Sequence, residues 1–113
     1  MSRLDRVSVL IRQEISTILL RKIDSKKVGF VSIIEVDVAP NLRSARVYFS
    51  QLGTNVDIRK TQRFLQQSAS FIKGELGKVL SLKTVPNLTF VYDQSLERGD
   101  RVLAKMRELK NET

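Results

Sequence analysis

The sequence predicts an α+β fold in the order α-β-β-α-α-β, with helices on one face of a three-stranded sheet and a further helix at the C-terminus. Apolar residues recur at three- and four-residue steps over 3–23 and again over 57–82, the spacing of helices with one buried stripe. Between and after these segments they alternate singly, the spacing of half-buried strands, and proline-bearing turns sit at 40 and 86. A chain of 113 residues suits one domain over 1–113 with a single core.

The first helix begins at Ser2, whose hydroxyl and the Asp5 carboxylate have the spacing of a capping box. Leu4, Val7, Ile11, Ile15, Ile18 and Leu19 form its stripe, which leaves Arg3, Arg6, Arg12, Gln13 and Lys22 outward, and it ends near Ile23. Phe30 to Ala39 reads as a strand with Ile34, Val36 and Val38 on one side and Glu35 and Asp37 on the other. Pro40-Asn41 supplies the turn, and Ala45, Val47 and Phe49 alternate with Arg46, Tyr48 and Ser50 in the second strand of an antiparallel hairpin.

Asn55 or Asp57 can cap a long helical pattern from Asp57 to Leu82, interrupted at Ser68-Ala69-Ser70. Ile58, Leu65, Ala69, Ile72, Leu76, Val79 and Leu80 share its apolar stripe, opposite Arg59, Lys60, Arg63, Ser70 and Lys78. Phe64 and Phe71 fall off that stripe on a straight helix; a second covered layer or a bend near residue 68 accounts for them. Pro86 stops the helix and holds Val85 extended. Leu88, Phe90 and Tyr92 then mark a third strand ending at Asp93, and Ser95 caps a closing helix carrying Leu96, Val102, Leu103, Met106 and Leu109.

The net charge of +8 directs attention to a polyanionic partner, and its distribution sharpens this. Residues 1–27 hold seven Lys/Arg against three Asp/Glu and residues 57–86 six against two, while the rest of the chain is balanced. There is no Cys and no His, so disulfides, thiolate metal sites and the commonest catalytic base are absent. This argues against an enzyme, a metal or a cofactor. No apolar run approaches the ~20 residues of a membrane span, and the N-terminus has no signal-peptide pattern. A cytoplasmic location, no membrane, no small-molecule substrate and a monomeric state are the expectation.

Val36-Asp37-Val38-Ala39-Pro40-Asn41-Leu42-Arg43-Ser44-Ala45-Arg46-Val47-Tyr48 resembles the strand-turn-strand signature of the ribosome-binding factor A family. Phe71-Ile72, Leu76-Gly77-Lys78, Val85-Pro86-Asn87-Leu88-Thr89-Phe90 and Tyr92-Asp93-Gln94-Ser95 extend the resemblance to nearly the whole chain. It implies a type II KH-like fold and a non-enzymatic factor that binds the immature 30S subunit and its 16S rRNA. It further implies a role in late maturation, including processing of the 16S 5′ region, with importance in the cold. The family's helix-kink-helix rests on an Ala-x-Gly motif, to which Ser68-Ala69-Ser70 aligns here. A serine hydroxyl competes for helix carbonyls, so a kink is expected at this triplet.

The resemblance and the basic segments together assign RNA contact to Arg59, Lys60, Arg63, Ser68, Ala69, Ser70, Lys73 and Lys78, with Arg43, Arg46, Arg3 and Arg6 as second-tier candidates. The alternative is a basic protein-interaction module without direct RNA contact. Gly74-Glu75-Leu76-Gly77 spells the GxxG of nucleic-acid-binding loops, but Leu76 continues the apolar stripe, so these read as helix residues with close packing at Gly77. Tyr48 on the outward alternation suits packing better than base stacking. Glu35 and Asp37, two apart on one strand face, read as surface carboxylates rather than an acid/base pair.

Overall fold

Helix α1 (Arg3–Lys22) starts at the expected cap: Asp5 N–H donates to Ser2 Oγ at 3.1 Å and Ser2 N–H to Asp5 Oδ2 at 3.2 Å. A computed structural model describes residues 2–23, 30–52 and 57–93. After α1 come strands β1 (Phe30–Val38) and β2 (Ser44–Leu52), helices α2 (Ile58–Gln67) and α3 (Ala69–Val79), and strand β3 (Asn87–Tyr92). The closing helix expected from Ser95 lies outside the described residues.

The sheet has the order β1-β2-β3, with β1 antiparallel and β3 parallel to β2. Val36 and Val38, then Ala45, Val47 and Phe49, then Leu88 and Phe90 turn one face toward the helices. Ile11, Ile15 and Ile18 of α1, Leu65 of α2 and Ile72 and Leu76 of α3 meet them in one buried cluster. Removing most of any one of these side chains leaves a cavity that costs about 2–5 kcal/mol.

Strand β1 departs from simple alternation. Its pairing with β2 shifts register between Ile33 and Glu35, a bulge centred on Ile34. Before the bulge Val31 and Ile33 pack on the core, and after it Val36 and Val38 do, so Ile34 does not share their side as expected. One extra residue flips the side-chain period, and both halves of the strand keep an apolar face inward.

The hairpin turn closes when Leu42 N–H donates to Ala39 O at 2.8 Å, and Asn41 Oδ1 accepts from Arg43 N–H at 2.9 Å. Leu42 takes a left-handed φ of 62°, an unfavourable conformation for a branched side chain that its packing against the core offsets. Asp57 caps α2, accepting from Lys60 N–H at 3.1 Å. Thr61, buried one turn later, donates to Gln51 Oε1 at 2.9 Å and fastens α2 to the end of β2.

The break in the central helix falls at Ser68 alone. Its N–H is shared between Phe64 O at 3.0 Å and Leu65 O at 3.1 Å, and its hydroxyl donates to Phe64 O at 2.9 Å. With φ −83° and ψ −5° the residue needs no glycine, and Ser70 is already inside α3. Leu65, Ile72 and Leu76 are buried as the stripe requires, but Val79 is 58% exposed. Phe64 is half-buried and Phe71 is 49% exposed, so α3 shows an aromatic ring to solvent. Helix α3 ends at Val79, short of Leu82 and well before Pro86, because Leu80 turns extended and carries Leu82 and Val85 onto the core.

Candidate nucleic-acid interface

Arg59, Lys60 and Arg63 stand exposed along α2, opposite buried Thr61 and Leu65. None of the three forms an ion pair among the described residues. Arg59 and Arg63 are one helical turn apart and share an open groove with Gln62, Gln66, Thr89 and Phe90. The groove lies between α2 and the outer edge of β3, and no carboxylate lines it.

Lys73 continues this strip. Its Nζ donates to Asn87 Oδ1 at 2.8 Å, and Asn87 N–H donates to Arg43 O at 2.9 Å. The start of β3 therefore joins Lys73 of α3 to the exposed Arg43 of the hairpin. Arg46 is exposed on the sheet face away from the helices, with Asp37 of β1 and Thr89 of β3 as its register partners. An opposing carboxylate there reduces what Arg46 offers a polyanion.

Ser68 and Ala69 are half-buried, Ala69 packing on the core, and only Ser70 of the triplet is exposed. Lys78 is drawn toward Glu75, with Nζ 3.3 Å from Oε1. Arg3 and Arg6 are exposed in the first turn of α1, and neighbouring Leu4, Asp5 and Ser8 line a groove with Glu35, Val36, Asp37 and Val38 of β1. That is the opposite edge of the sheet from β3, and acidic groups surround it. The structure thus gathers Arg59, Lys60, Arg63, Lys73 and Arg43 on one side and leaves Arg3 and Arg6 on the other.

Gly74 to Gly77 lie within α3, as read from the sequence. Glu75, however, turns inward: Lys22 Nζ donates to its Oε2 at 2.6 Å, and the residue is 8% exposed. The bond to Lys22 holds its pKa below the ordinary glutamate value, against the opposing effect of burial, and Lys78 assists. Packing at Gly77 is not close enough to demand glycine, since a Cβ there would meet Val85 Cγ2 at an ordinary 3.5 Å. Tyr48 is half-buried, and Glu35 and Asp37 belong to no group of three or more potential metal ligands among the described residues.

Three functionally placed side chains escape sequence reading. Gln62 and Gln66 donate to Phe90 O and Leu88 O, both at 3.0 Å, and Gln66 Oε1 accepts from Phe90 N–H at 2.9 Å. The only sequence signal is two glutamines four apart on a helix. Glu75 is the third, with a partner 53 residues away.

Comparison with known proteins bears on what this surface serves. A family model described as Ribosome-binding factor A matches residues 3–106. A protein named Ribosome-binding factor A from Dictyoglomus thermophilum is 43% identical over 108 residues, 95% of this chain and 90% of its own. Its namesake from Staphylococcus epidermidis is 37% identical over 107 residues, 95% of this chain and 92% of its own. The crystal structure of ribosome-binding factor A from Thermus thermophilus matches 80% of this chain and 97% of its own with a TM-score of 0.72. At 11% identity that likeness speaks for the fold. No helix among the described residues is long and apolar enough to cross a membrane.

Proposed function

The chain belongs to the ribosome-binding factor A family, and on that premise we propose that it is a non-enzymatic assembly factor for the small ribosomal subunit. It binds the immature 30S subunit through 16S rRNA and assists late maturation, including processing of the 16S 5′ region, with its need greatest in the cold. The observation that carries the RNA contact is the run of Arg59, Lys60, Arg63, Lys73 and Arg43 along one edge of the sheet, with a carboxylate-free groove at its centre.

Cations placed this way neutralise phosphates and release counterions, which gives affinity and salt dependence without reading base sequence. Shape then selects the site, through the spacing set by α2, α3 and β3. Differential binding to one rRNA arrangement is sufficient for the role and needs no covalent step.

Purified protein is mixed with free 30S subunits, 30S precursors and mature ribosomes over a salt series. Preference for free or precursor subunits, with affinity falling steeply as salt rises, is the expected result. Equal binding to mature ribosomes or salt-independent binding counts against it. In cells lacking the protein and grown cold, free subunits and 16S rRNA with an unprocessed 5′ end accumulate. Binding that survives reversal of Arg59, Arg63 and Lys73 to glutamate assigns the contact to a protein partner instead.

A further inference from the structure

Strand β3 closes the sheet on one side, paired only with β2. On its outer edge the backbone groups of Leu88 and Phe90 are already taken by α2 side chains. Gln66 accepts from Phe90 N–H at 2.9 Å and donates to Leu88 O at 3.0 Å, while Gln62 donates to Phe90 O at 3.0 Å. The match follows from geometry: four helical residues rise about 6.0 Å and two strand residues about 6.6 Å, so glutamines one turn apart meet alternate strand residues.

The Gln66 carboxamide therefore offers this edge a planar acceptor beside a donor. Unpaired nucleobases carry the same arrangement, a ring or carbonyl acceptor adjacent to an N–H in one plane. The groove around it spans about 680 Å³, within the roughly 300–1,000 Å³ of ligand sites, and its charged lining residues are Arg59 and Arg63.

We propose that Phe90 N–H and Leu88 O form a slot for one unpaired nucleobase, which the Gln66 carboxamide fills in the free protein. A base entering the slot makes two hydrogen bonds as Gln66 gives up two, so the exchange is near balance. Arg59 and Arg63 supply the net attraction by holding the flanking phosphates. A peptide strand has the same backbone pattern, but a groove whose charged lining is wholly cationic favours RNA. The proposal rests on the RNA-binding reading above for the class of ligand and adds a site that contacts a base rather than phosphate alone.

The test uses the full chain, an unstructured eight-nucleotide RNA, and the same RNA with abasic residues. Gln66→Ala removes the internal occupant, and it binds the base-bearing RNA about ten-fold tighter than the unaltered protein, with abasic RNA unchanged. In the unaltered protein, the Phe90 backbone amide and the Gln66 side-chain amide resonances shift as base-bearing RNA is added, a readout that does not depend on the variant folding. RNA that binds while both resonances stay fixed overturns the slot and leaves the assembly role standing. Gln66→Ala that self-associates, or prefers an added strand peptide to RNA, overturns it by giving the edge to protein. Failure of both proteins to bind either RNA or 30S subunits overturns the slot and the assembly reading together.

Discussion

Lys22 Nζ lies 2.6 Å from Glu75 Oε2, joining the last turn of α1 to the middle of α3 through the one buried glutamate among the described residues. Lys78 reaches the other carboxylate oxygen, so both acceptors of Glu75 are engaged. A loop with the same GxxG letters would present this position to a phosphate; here it is a tie between helices.

Glu75 has a lowered pKa in the folded protein. A carboxyl that binds its proton less readily folded than unfolded stabilises the fold above its unfolded pKa, and that contribution is lost as pH falls through the folded one. The Glu75→Gln variant is thus less stable than the unaltered protein at neutral pH, and the gap closes below the ordinary carboxylate range. Denaturant midpoints of the two proteins, measured from pH 7 downward, converge. A gap that stays constant to low pH contradicts the tie.

Gly74 stands in the interior of α3 with open space where a Cβ would be, nothing lying within 4 Å. Glycine there costs conformational entropy with no close approach to justify it. Gly74→Ala raises stability by about 0.5–1 kcal/mol, read from chemical denaturation. Gly77→Ala is tolerated on the same grounds, its Cβ meeting Val85 at 3.5 Å. If either change destabilises the protein, these positions are not ordinary helix residues.

These two residues also show what a sequence can and cannot carry. Apolar spacing was enough to place Gly74 to Gly77 on a helix, just as the Ser2–Asp5 cap and the alternation at Ala45, Val47 and Phe49 located their elements. Local period and capping chemistry are properties of neighbouring residues. The bulge at Ile34 was illegible because a one-residue insertion leaves an apolar run looking continuous. The end of α3 at Val79 depends on core contacts of Leu82 and Val85, and the Lys22–Glu75 tie on a partner 53 residues away. For the candidate interface, charge drew attention to α2, but only the fold separates Arg3 and Arg6 from the β3 edge.

Ser68 makes the helix break with its hydroxyl on Phe64 O and its N–H shared between two carbonyls. Its backbone angles are open to any residue, so the break depends on packing either side of it: Leu65 below and Ile72 above are both fully buried. Ser68→Ala removes one partly buried hydrogen bond, worth about 0.5–1.5 kcal/mol, and leaves the two helices in place. Backbone amide resonances that change only near residues 64–72 are the expected sign. A shift propagating to Asn87 and Lys73 means the hydroxyl itself sets the angle of α3.

Position on the fold, rather than charge alone, separates the candidate arginines. Arg59 and Arg63 line the carboxylate-free groove beside β3, whereas Arg3 and Arg6 project next to Asp5, Glu35 and Asp37 near β1. Reversing either pair changes net charge by the same amount. A uniform long-range attraction would weaken equally in both variants, but phosphate contacts are local, and screening falls off over ~10 Å at 0.1 M salt. Arg59→Glu with Arg63→Glu therefore weakens binding to 30S subunits by at least about ten-fold and flattens the salt dependence by about one logarithmic unit per lost phosphate. Arg3→Glu with Arg6→Glu has less than about a third of that effect on affinity at the same salt. Equal losses from the two pairs replace the local interface with a diffuse field, and a larger loss from the α1 pair moves the interface to the β1 edge.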